Sequence, residues 1–128
     1  MDPHGYVDIE WHNNVLIVRT TGPFNVEGIQ IAYQKIIDAV ADKNLSEWHR
    51  VDFLDNATLG SPAVMKVIGR SYKWSEKHQD CHKVAVCCSN QIQINMMNHF
   101  VGESGFSIEV LSCVDTANEL IQQISNAG

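Results

Sequence analysis

The chain has 128 residues, 45% apolar and 19% charged, the proportions of one globular domain with room for a real core. Nine basic residues against fifteen acidic ones leave a formal net charge of −6, which argues against nucleic acid as the main partner, because binding DNA or RNA needs a basic footprint. No stretch approaches the roughly 18 apolar residues of a membrane span, so any membrane association is expected to be peripheral.

In chain order the hydrophobic period changes several times. Val7, Ile9 and Trp11 alternate, Asn13 and Asn14 supply a turn, and alternation resumes over Val15 to Val18, which reads as a β-hairpin. Asn25 is placed to cap a helix in which Ile29, Ala32, Tyr33, Ile36, Ile37 and Val40 recur at helical spacing. "WHRVDFLD" reads as a strand, and Ser61 with Pro62 starts a second helix that runs to about His78. "KVAVCCS" is a buried strand, "NQIQINMMNHFV" a third helix, "FSIEVLSC" a fifth strand and "DTANELIQQI" a closing helix. The order ββαβαβαβα over a single domain, residues 1–128, predicts an α/β fold with a mostly parallel sheet and right-handed crossovers.

This layout, with the strand-turn-helix over residues 53–60, resembles the STAS family, and within it the SpoIIAA-like proteins of bacteria. In that family's anti-sigma-factor antagonists the turn commonly reads Phe-Ile-Asp-Ser-Ser-Gly-Leu-Gly. The corresponding residues here are Phe53, Leu54, Asp55, Asn56, Ala57, Thr58, Leu59 and Gly60. The resemblance implies a switch turn at Asp55, Asn56, Ala57 and Thr58, where a kinase would phosphorylate the second serine and so change which partner is held. Ala57 stands at that position and has no oxygen to accept a phosphoryl group. Thr58, at the family's glycine position, and Ser61, the helix cap, are the neighbouring hydroxyls. Asp55 and Asn56 also read as plain turn residues whose side chains bond nearby amides.

Two helix faces carry the remaining signal. Lys66, Arg70, Lys73 and Lys77 follow one another at intervals of four, three and four, which at about 100° per residue gathers them into a narrow stripe, with Trp74 at its edge. Val64, Val67, Ile68, Ser71 and Ser75 fall opposite, toward the sheet. The stripe reads as a solvated face or as a seat for an anionic partner: a phosphate-bearing ligand, an acidic protein or a lipid headgroup layer. On the third helix Ile92, Ile94, Met96, Met97, Phe100 and Val101 occupy an arc of about 200°, twice the usual stripe. Burial in the core or in a homodimer, a lid over an apolar or amphiphilic ligand, and insertion at a bilayer surface all account for such a face. Residues 102–105, "GESG", are expected to form a loop whose glycines would let the helix swing.

Catalytic and metal readings find less. His78, Cys81 and His82 make no complete four-ligand set, and no phosphate-binding glycine loop or nucleophile elbow is present, so neither metal nor cofactor is implied. Asp52 and Asp55 are split across their strand by alternation. Cys87 and Cys88 point to opposite faces of theirs. With Cys81 and Cys113 they show no disulfide framework and no signal peptide precedes them, so reduced thiols and a cytoplasmic setting are expected. The sequence thus predicts a non-enzymatic binding module, for a lipid-like ligand or membrane surface at the third helix, or, alternatively, for a regulatory protein at the turn.

Overall fold

The computed structural model describes residues 2–105 and 107–127. Strands β1 (Tyr6–His12), β2 (Val15–Thr21), β3 (Trp48–Leu54), β4 (Cys81–Cys87) and β5 (Glu109–Leu111) form one sheet in the order β1-β2-β3-β4-β5. β1 and β2 pair antiparallel through the tight turn at Asn13, which adopts a φ of 53° as asparagine tolerates, and every later pairing is parallel. The helices are α1 (Val26–Lys43), α2 (Pro62–Lys77), α3 (Gln91–Ser104) and α4 (Val114–Ala127).

Because spatial order follows chain order, right-handed crossovers put α1, α2 and α3 on the same face of the sheet. Their apolar residues, among them Ile36, Val67, Ile68 and Met97, pack on Leu16, Val18, Trp48, Leu54 and Val86. The helix α4 folds over the other face, where Ala117 and Ile121 cover Val15, Ile17, Val51 and Phe53. Cys87 joins this second cluster and Cys88 the first, so the two thiols do point apart.

The caps explain the helix starts. Asn25 Oδ1 accepts the Gly28 amide at 2.9 Å, and Ser61 Oγ accepts the Val64 amide at 3.3 Å. Two expectations change. The fifth strand is only three residues, Glu109–Leu111, within the longer stretch expected, whose first residue, Phe106, lies outside the described residues. The expected loop at 102–105 is mostly helix: α3 includes Gly102 and runs to Ser104, and Gly105, with a φ of 66°, gives the left-handed cap.

Candidate functional site

β3 is the central strand, and the turn after Leu54 leaves the carboxyl edge of the sheet, where open α/β folds hold their sites. Asp55 organises that turn. Its Oδ1 accepts the Gly22 amide at 3.1 Å and the Thr58 hydroxyl at 2.5 Å, while the Thr58 amide donates to the Asp55 carbonyl at 3.2 Å. With its proton given to Asp55, the Thr58 hydroxyl accepts that of Thr20 on β2 at 2.6 Å. A Cβ on Gly22 would lie 2.4 Å from the Ala57 carbonyl oxygen, so only glycine lets the β2 exit run this close.

The start of α3 grips the same turn from the other side. Gln93, fully buried, donates to the Asp55 carbonyl at 2.6 Å and the Thr58 carbonyl at 3.3 Å, and its Oε1 accepts the Ser89 amide at 2.8 Å. The Ser89 hydroxyl donates to the Leu54 carbonyl. Asn90 caps α3 by accepting the Gln93 amide at 2.9 Å, and its Nδ2 donates to the carbonyl and side-chain oxygens of Asn56 at 3.2 and 3.0 Å. What faces outward is small and uncharged: Asn56, Ala57, Gly60 and Ser61 are exposed, with Ile92, 64% exposed, in the first turn of α3. Thr58, 2% exposed and bonded on both sides, offers no accessible hydroxyl there.

Beneath the turn lies a charged pair. Arg50 donates Nε and Nη2 to the two carboxylate oxygens of Asp52, each at 2.8 Å, and Nη1 to the Ser71 and Ser75 hydroxyls at 2.9 and 2.8 Å. Tyr72 donates to Asp52 at 2.8 Å, and its ring lies 4.5 Å under the guanidinium carbon. Burial opposes the Arg50 charge, but the carboxylate of Asp52 more than offsets it and raises the pKa of Arg50. Burial, and then the Asp52 charge, push the Tyr72 phenol well above its usual range. Both carboxylate oxygens of Asp52 are committed.

The basic residues of α2 are all exposed, and among the described residues none forms an ion pair. Arg70, Lys73 and Lys77 border a groove of about 410 Å³ shared with α1, floored by Tyr33, Trp74 and His78. Trp74 is half-buried and meets Tyr33 edge-on at 6.4 Å and Trp48 at 6.1 Å.

The broad apolar face of α3 mostly packs inward, so of the readings given for it this face shows core burial and not a surface laid open to a bilayer. Met97 is fully buried, and Ile94, Met96, Phe100 and Val101 are half-buried against the core. The Phe100 ring lies against Gly69, on the flank of α2 opposite the groove. Of the large apolar side chains described in α3, Ile92 alone is exposed. The structure therefore does not bring the basic stripe and the α3 residues to one face. A cavity of about 40 Å³ does remain between the sheet and the helices, reached by Phe24, Ile36, Leu54, Tyr72, Met96 and Met97. Among the described residues no three His, Cys, Asp or Glu side chains cluster as metal ligands, and no helix is long and apolar enough to cross a membrane.

No family model matches the chain, and no curated protein matches its sequence. Among solved structures, an anti-sigma factor antagonist from Mycobacterium paratuberculosis matches it with a TM-score of 0.63 at 16% identity, over 92% of this chain and 94% of that one. The fold is SpoIIAA-like. In this SpoIIAA-like frame the strand and helix order is the one read from the sequence. Gln93, Thr20, Gly22 and Arg50 were not legible as parts of the site. Arg50 left one signal, an opposite charge two residues from Asp52 inside an apolar strand, which alternation puts on the same face. Gln93 left only a polar residue on an apolar helix face.

Proposed function

We propose that this domain is a non-enzymatic regulatory module that binds a protein partner through turn 55–58 and the first turn of α3. One observation carries the reading: hydrogen bonds from β2, its exit and the start of α3 converge beneath the turn, while Asn56, Ala57 and Ile92 face outward. A surface held rigid from below loses little entropy when a partner covers it. The solved neighbour is described as an anti-sigma factor antagonist, and a partner of that regulatory kind suits a small, neutral platform with an apolar edge. Ala57 leaves the platform without the phosphoacceptor of the related switch, so partner binding here is not gated by a phosphate at that residue.

A photo-crosslinking residue at position 57, introduced in the native host, is expected to trap one protein of defined mass, and the same probe at Glu119 on α4 is not. Asn56→Lys should abolish the adduct with the circular dichroism spectrum unchanged. Equal trapping at both positions would sink the proposal. A second reading, an apolar or amphiphilic ligand held by α3 or peripheral attachment to a membrane, rests on exposed Ile92 alone, because the cavity against Met96 and Met97 would have to widen to admit such a ligand. A ligand retained in native mass spectra, or sedimentation with anionic vesicles that Ile92→Asp removes, would establish it.

A further inference from the structure

The α1–α2 groove has features that the turn does not explain. Lys66, Arg70, Lys73 and Lys77 are exposed without ion pairs among the described residues, on a chain of net charge −6. Three acids of α1 and α2 are turned elsewhere, while Asp80, just past Lys77, forms no ion pair with the stripe among the described residues. Glu76 accepts the Ser107 amide at 3.0 Å on the far flank of α2, and Asp38 and Asp42 line the cleft between α1 and β1. The groove floor is aromatic and rigidly backed: Trp74 and His78 both pack on Trp48, which is 1% exposed.

From these observations we infer that the groove is a docking site for an acidic amphipathic helix of a partner protein. Spacing selects the helix. The four cations rise along α2 by steps of about 6, 4.5 and 6 Å and span about 16 Å in all. A helix lying alongside has the same rise, so carboxylates at i, i+4, i+7 and i+11 meet all four, and its neighbouring apolar residues rest on Tyr33 and Trp74. One phosphate group cannot reach across that span. An extended peptide, advancing about 6.6 Å per residue pair, drifts out of register by the fourth cation. A lipid surface is flat and leaves the concave floor unfilled. The site is separate from the turn: Ser61 and Lys77 stand about 24 Å apart at the two ends of α2.

The test uses a synthetic helical peptide of about 20 residues, long enough to hold its helix, with glutamates at i, i+4, i+7 and i+11 beside a leucine face. A peptide of the same composition with the glutamates out of register serves as its control. The first is expected to bind the intact protein, to shift amide resonances of α1 and α2 around Tyr33, Trp74 and Lys77, and to weaken as salt rises. Arg70→Glu with Lys73→Glu should weaken it about tenfold or more, and Lys35→Glu, in the cleft beyond α1, should not. Both reversed residues are exposed, so the fold should survive, which circular dichroism verifies. Equal binding of the two peptides, shifts elsewhere, no binding at millimolar peptide, or binding of anionic phosphatidylglycerol vesicles in preference to the peptide would each overturn the assignment. Crosslinking at position 57 and peptide binding in the groove fail independently.

Discussion

Arg50 and Asp52 are 2% exposed each and sit on the central strand, where an ion pair survives only if every lone pair and proton is matched. Asp52→Asn removes the counter-charge and leaves the guanidinium buried without it, so it should cost about 3–5 kcal/mol of stability. Replacing both residues by apolar side chains of similar volume should cost much less, and denaturant midpoints of the two variants give the comparison. His49 behaves differently. It is 7% exposed on the α4 face, its Nδ1 has no hydrogen-bond partner among the described residues, and its ring centroid lies 6.1 Å from that of His82. Burial lowers its pKa, with Glu47 opposing and His82 and Lys83 reinforcing the shift. A base whose folded pKa lies below its unfolded value contributes fully above about 6.5, and that contribution is lost as pH falls below it. Unfolding midpoints should therefore drop between pH 7.5 and 5 in the wild type, and by less in His49→Phe.

At the level of elements, the two joints that hold α3 can be tested separately. Gly69 lies inside α2, and a Cβ there would meet the Phe100 ring at 3.4 Å, an ordinary contact. Gly69→Ala should stabilise the protein by about 0.5–1 kcal/mol through helix propensity, and a loss would mean that α2 and α3 sit closer than described. Gln93 is the other joint. Gln93→Ala leaves the Asp55 and Thr58 carbonyls and the Ser89 amide without their partner, at a cost of about 2 kcal/mol. Amide exchange over residues 56–59 should speed up more than exchange in β3, because the turn loses its clamp and the strand keeps its ladder. The wide apolar arc of α3 was legible as burial or as binding. Burial won because three helices share one face of the sheet and Phe100 packs across to α2 at Gly69.

For the whole molecule, Cys81, Cys87, Cys88 and Cys113 are all free thiols. Burial pushes the Cys81 and Cys88 thiols up to about 11. Neither is a ready thiolate, whereas hydrogen bonding from Thr116 lowers the pKa of exposed Cys113; with all four thiols free, the thermal midpoint is expected to be the same with and without reductant, and a clear drop on reduction would reveal a disulfide. Two opposed surfaces then describe the molecule: a neutral platform at the carboxyl edge of the sheet, and a basic, aromatic groove toward the far end of α2.

The sequence by itself determined the element order, the caps at Asn25 and Ser61, the tight turn at Asn13, the inward face of α2 and the missing hydroxyl at Ala57. Those are local properties, set by period, by turn chemistry and by the identity of one atom. Only the tertiary structure decided that Gln93 clamps the turn, that Arg50 is the partner of Asp52 with Ser71, Ser75 and Tyr72 around them, and that Trp74 packs against Tyr33 of α1. Each joins residues that are distant in sequence, or fixes which of several neighbours a side chain meets. Such choices depend on which face each crossover takes and how closely two helices approach, and no periodicity within one segment records either.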